Sequence, residues 1–136
     1  MPQPEQTSYH GNPNLKPLAY QHDFSKEEIK EYLKCKEDPI YFIENYVKII
    51  TLDSGLQPFK LYDCQKEKVD VIMNNRRVVL MEGRQQGKTV TSAACILHYT
   101  VFEEDKTVAI MANKASAARE VLNRYQIMYE NLPLWM

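Results

Sequence analysis

The chain has 136 residues, of which 44% are hydrophobic and 26% charged, and its formal net charge is −1. That balance is ordinary for a globular protein, and a charge so near zero excludes recognition of nucleic acid or membrane by a global electrostatic field. No apolar run approaches the roughly 18 to 20 residues needed to cross a bilayer.

Residues 1–23 carry Pro2, Pro4, Pro13 and Pro17 and few aliphatic side chains. Such a stretch buries too little apolar area to offset its ordering entropy, so an extended arm or leader is expected. The first part, MPQPEQTSYHGNPN, has no apolar signal core, so the protein is expected to stay inside the cell rather than be secreted. Cys35, Cys64 and Cys95 are too few and too scattered for a disulfide frame, and His10, His22 and His98 lack partners at metal-ligand spacing. Reduced thiols are expected.

Residues 24–58 read as a helical segment. Ser25 and Glu28 form an S-x-x-E capping box, with Phe24 and Ile29 placed as a hydrophobic staple, which predicts a helix over 26–36. Asp38-Pro39 opens a second helix whose apolar stripe, Ile40, Phe42, Ile43, Tyr46, Val47 and Ile50, extends it to residue 50. Residues 51–58, with Asp53, Ser54, Gly55 and Pro58, read as a loop.

From residue 59 the pattern changes. LYDCQKEKVDVIM is a third helix, ended by Asn74-Asn75. Residues 77–82 form a short apolar run of the kind that makes a buried parallel strand, and residues 107–112 form a second. Between them lie the loop Gly83-Arg84-Gln85-Gln86-Gly87-Lys88-Thr89 and a helix over 89–102, and a last helix is predicted over 116–131. Strand, loop, helix, strand and helix in this order predict an α/β fold with a parallel sheet, preceded by N-terminal helices.

The loop supplies the last three letters of G-x-x-x-x-G-K-[ST], but Glu82 stands at the first-glycine position and Arg84 lies inside. The setting is still that of a phosphate cradle. Backbone amides at the start of the following helix point at bound oxygens, aided by the helix dipole. Lys88 reaches toward the β- and γ-phosphates, the Thr89 hydroxyl is a ligand for Mg²⁺, and Gly87 permits close backbone approach. Arg84 and Gln85 bring donors beside the γ-phosphate, Arg84 being suited to transition-state charge. The other reading of Arg84 is a solvated loop residue or a partner for Glu82.

Gly83-Arg84-Gln85-Gln86-Gly87-Lys88-Thr89 resembles the deviant Walker A loop of the large terminase subunit of tailed bacteriophages, closest to the contractile-tailed branch. The resemblance extends from about Pro13 to the C-terminus. FSKEEIKEYLKCKEDPIYFIENYVKI is similar to that family's leading helical segment, and VAIMANKASAAREVLNR to the strand and helix after the P-loop. It implies a P-loop NTPase sheet of the ASCE type, ATP and Mg²⁺ as cofactors, and catalytic roles for Arg84 and Lys88. It also implies nucleotide contacts from Gly83, Gln85, Gln86, Gly87 and Thr89. Gln65 resembles the family's adenine-reading glutamine, an amide able to pair with N6 and N7 of the base. Phe59 or Tyr62 either packs on adenine or belongs to the core, and Lys60 is a candidate for contact with phosphate or ribose.

The implied activity is ATP-driven packaging of DNA in the host cytoplasm. The implied partners are double-stranded phage DNA, the portal protein, the small terminase subunit and the C-terminal remainder of a split terminase. The ATPase also needs one carboxylate for Mg²⁺ and another to position water. The nearest run, Glu103-Glu104-Asp105, falls at the end of a helix and reads as a solvated turn. Residues 59–136 are therefore expected to be a partial ATPase core ending before Walker B and the nuclease domain. Such a core is expected to bind ATP at most weakly, hydrolysis needing the downstream sequence, and to be marginally stable or self-associating through exposed strand edges. Two other readings stand beside this one: the front of a helicase-like translocase, and a non-enzymatic interaction module with a vestigial loop. Lys106, Lys114, Arg119 and Arg124 form either a DNA-facing basic surface or an ordinary solvated helix face.

Overall fold

The structure, a computed structural model, describes residues 12–16 and 20–136. Most of the expected N-terminal arm lies outside the described residues. The part from Tyr20 onward rests on the first helix, with His22 Nε2 3.2 Å from the Glu28 carboxylate.

Helix α1, Lys26–Glu37, begins as its caps predict: the Glu28 amide donates to Ser25 Oγ at 3.1 Å, and the Ser25 amide to Glu28 Oε2 at 2.8 Å. Phe24 and Ile29 border one apolar groove and each stays about half exposed. Asp38 caps α2, Pro39–Tyr46, by accepting from the Tyr41 amide at 2.9 Å.

The second helix is shorter than its apolar stripe suggests. Val47 is already extended, and the β-branched run Ile49-Ile50-Thr51 continues as strand β1, Lys48–Thr51. It pairs antiparallel with β2, Gly55–Pro58, in the register Lys48↔Pro58 to Thr51↔Gly55. Gly55 adopts φ +67°, the left-handed residue that closes a three-residue hairpin. Residues 51–58, expected as a loop, therefore complete a hairpin: Ile49, Ile50 and Thr51 are β-branched and favour extended backbone, and Gly55–Pro58 pairs against them.

Helices α3 (Asp63–Asn74), α4 (Lys88–Phe102) and α5 (Ala115–Glu130) follow. Each lies within one or two residues of its predicted span. Helix α4 is central: it packs on α2, α3 and α5, and Ala93, Ala94 and Leu97 are buried along it. The core adds Phe42, Ile43 and Val47 from α2 and its C-cap, Val69 from α3 and Met128 from α5. His98 joins α4 to α1, with Nε2 2.9 Å from the Cys35 carbonyl and its ring between Phe42 and Phe102.

The fold is thus mixed α/β, with five helices and one two-stranded antiparallel sheet among the described residues. Residues 78–83 and 106–112 carry no ladder, so the parallel sheet expected there is absent from the described residues. Nor are these segments buried, since Val79, Met81 and Met111 are 92%, 94% and 90% exposed. An apolar run states a preference for extended backbone, but a ladder also requires a neighbouring strand, and none lies alongside. Among the described residues no helix is long and apolar enough to cross a membrane.

Candidate functional site

The loop between residue 83 and α4 turns through two residues of left-handed backbone. Gly87 adopts φ +70° and Gln85 φ +64°. A left-handed non-glycine residue costs about 1–2 kcal/mol and persists where its surroundings hold it. The first bond of α4 runs from the Thr91 amide to the Gly87 carbonyl at 2.9 Å. The amides of Lys88, Thr89 and Val90 precede that bond and are free to donate outward at the positive end of a 15-residue helix.

Helix α3 brings Gln65 to this loop, although Gln65 and Gln86 are 21 positions apart in sequence. Gln65 Nε2 donates to the Gln86 carbonyl at 3.3 Å, and its Oε1 accepts from the Tyr62 amide at 3.0 Å. Gln65 is only 5% exposed; by valence each end of its side-chain amide has one further bond to give, a donor and an acceptor, the pair that the N6 and N7 edge of adenine requires. The Gln65 amide also fills the space beside Gly87 that a Cβ would need.

Gln65, Gln85, Gln86 and Gly87 form one wall of a cleft of about 690 Å³. That size is within the ordinary range for small-molecule sites. The hairpin forms the other wall through Ile49, Thr51 and Gln57. Gln57 Nε2 donates to Thr51 Oγ1 at 2.9 Å across the strands. Tyr62 stands on the rim, 75% exposed, whereas Phe59 is buried in the core and shows only part of its surface to the cleft. Of the two rings considered for stacking on a base, Tyr62 is the accessible one.

The remaining expected residues divide clearly. Gly83, Arg84 and Lys88 are exposed at the loop, and Thr89 is half-buried in the first turn of α4. Glu82 pairs with Lys68 at 2.7 Å, so Arg84 is not its partner. Lys60 borders the cleft, but its ammonium donates to the Glu44 carbonyl at 3.0 Å. Glu103, Glu104 and Asp105 are exposed in the turn after α4. A helix of that length spans about 22 Å, too far for those acids to share a phosphate with Lys88. Of the basic residues after α4, Arg124 pairs with Glu120 at 2.7 Å on the exposed face of α5.

The residues fit Mg·ATP in part. The loop amides, Gly87 and the spare bonds of Gln65 suit a nucleotide, and the Thr89 hydroxyl is one oxygen for Mg²⁺, whose other ligands commonly come from phosphate and water. Among the described residues no group of three or more His, Cys, Asp or Glu side chains is gathered to hold a metal.

Three contributors escaped the sequence reading. Thr51 and Gln57 were hidden by the missed hairpin, although a β-branched run followed by Asp-Ser-Gly is a recognisable hairpin signal. Lys68, 4% exposed, looked like one more polar residue of α3. A scan of the sequence against models of known protein families finds no match.

Proposed function

We propose that the cleft beside Gly87 is an ATP site, and that the chain is the nucleotide-binding part of a DNA-packaging motor of the large-terminase kind. The observation that carries this reading is the contact of Gln65 with the Gln86 carbonyl at the head of the helix bearing Lys88 and Thr89. Gln65 and the loop residues Gln85, Gln86 and Gly87 line one cleft, with Lys88 and Thr89 next in sequence but outside its lining, and this supports a base contact beside a phosphate-type loop.

On this reading Gln65 pairs with adenine and Tyr62 covers its face. Lys88 and the α4 amides bind the β- and γ-phosphates, Thr89 contributes its hydroxyl to Mg²⁺, and Arg84 neutralises charge at the γ-phosphate. The extended segments 78–83 and 106–112 flank α4 in sequence as strands flank the first helix of a P-loop sheet, and they gain ladder partners in the working motor. DNA, the portal and small terminase subunits, and the C-terminal remainder of a split terminase are its partners in the host cytoplasm. In the motor, ATP hydrolysis drives DNA into the capsid.

Photolabelling with 8-azido-ATP tests the site. Label is expected on peptides containing residues 57–65, and unlabelled ATP is expected to compete it away. Label spread over unrelated peptides, or insensitive to ATP, favours the interaction-module reading instead.

A further inference from the structure

Helix α3 touches the phosphate loop at both ends. Gln65 and Lys68 are three residues apart, so they share one face of the helix, and both are buried. Gln65 meets Gln86 near the end of the loop. Lys68 meets Glu82 at its beginning, Nζ to Oε2 at 2.7 Å, with side-chain exposures of 3% and 17%.

Glu82 occupies the position where a phosphate loop ordinarily begins with glycine. A carboxylate there opposes a polyphosphate, and at the separation of neighbouring loop residues two like charges in a partly buried setting change affinity by about tenfold or more. Neither Lys68 Nζ nor Glu82 Oε2 has a hydrogen-bond partner, and among the described residues Glu82 is the only ion-pair partner of Lys68. A buried ammonium is costly to desolvate, and a methionine of similar length would fill the same space without that cost. The burial of Lys68 is accounted for by the carboxylate that it faces.

We propose that Lys68 is a positioning residue of the nucleotide site: it neutralises Glu82 and turns that carboxylate inward, so that the loop amides face a polyphosphate without a competing negative charge. The role rests on the reading of the loop as a phosphate site. Its mark is dependence on ligand charge. Loss of Lys68 frees Glu82 to repel the phosphates, and adenosine, which carries none, is indifferent to the change. Removing both charges abolishes the repulsion.

Calorimetric titrations of the full chain with adenosine, ADP and ATP, each with Mg²⁺, test this in the wild type, Lys68→Met and Lys68→Met/Glu82→Met. Lys68→Met is expected to lose about tenfold or more in ATP affinity, less for ADP, and under about twofold for adenosine. The double variant is expected to regain ATP affinity to within about threefold of wild type, since a buried ion pair is replaceable by apolar side chains. Equal losses for all three ligands, no loss in Lys68→Met, or a double variant as weak as the single one overturn the role while the nucleotide site stands. Failure of the wild type to bind ATP overturns the nucleotide reading, and this role with it. Should Lys68→Met not fold, the double variant decides alone: near-wild-type ATP affinity supports the role, and lost affinity for ATP with adenosine binding intact overturns it.

Discussion

The side-chain amide of Gln65 lies where a Cβ on Gly87 would have to be, and its Nε2 donates to the neighbouring Gln86 carbonyl at 3.3 Å. Helix α3 and the loop before α4 are fitted to each other at that point. Gly87→Ala therefore combines a left-handed backbone penalty of about 1–2 kcal/mol with displacement of Gln65, whose lost hydrogen bond adds about 1 kcal/mol. Urea unfolding is expected to show roughly 2–3 kcal/mol of destabilisation, and a loss below about 0.5 kcal/mol would mean that the loop relaxes freely.

Gln65 has one donor and one acceptor left for a ligand. Gln65→Ala is expected to cost ATP about tenfold or more in affinity and GTP much less, since a bidentate amide–adenine pair discriminates by about 1–3 kcal/mol. Equal losses for both nucleotides would show that the side chain only supports the loop.

Cys64 is exposed and borders the cleft, whereas Cys35 and Cys95 are buried. Burial pushes both buried thiols up to about 12, although the Lys68 ammonium pulls the other way at Cys95. With a thiol reagent near neutral pH, only Cys64 is expected to react in the folded protein, and all three cysteines after unfolding. Saturating ATP is expected to slow the Cys64 reaction several-fold; an unchanged rate would place the nucleotide elsewhere.

His98 supplies a pH dependence unrelated to the site. Burial lowers its pKa from 6.5, against the smaller opposing influence of its backbone bond to Cys35, Lys36 and the charges of Glu103 and Asp38. The unfolded chain thus takes up the proton first as pH falls, and it binds more protons than the folded chain below that value. The contribution of His98 to stability is complete above about pH 6.5 and declines below it until the folded pKa is passed. His98→Gln, which retains a donor for the Cys35 carbonyl, is expected to flatten the fall in Tm between about pH 6.5 and 5. An unchanged slope would assign that fall to other groups.

The helices were legible because their signals are local. Ser25 with Glu28, Asp38 with Pro39, and apolar residues at helical spacing all act within a turn or two of where they stand. The hairpin was obscured by its own apolar residues, since Ile50 continues the stripe of α2 while its β-branched neighbours favour extended backbone. Val78 to Met81 and Val108 to Met111 carry an extended preference, but a ladder depends on partners that no local pattern specifies. In the site, Gly87, Lys88 and Thr89 were visible as a motif. The juxtaposition of Lys68 with Glu82 was not, because a lysine on an amphipathic helix reads as solvated until the packing of α3 on the loop buries it.

The proposed ATP site stands or falls with phosphate binding by the loop ending in Lys88. Equilibrium titration of a fluorescent ATP analogue against the wild type and Lys88→Ala measures this directly, with thermal unfolding confirming that both proteins are folded. Lys88 is exposed at the start of α4, so its truncation is expected to change stability by less than about 0.5 kcal/mol. Saturable binding by the wild type is expected, displaced by unlabelled ATP and weakened at least about tenfold in Lys88→Ala. Equal binding by the two folded proteins, or none by either, would contradict the proposed site.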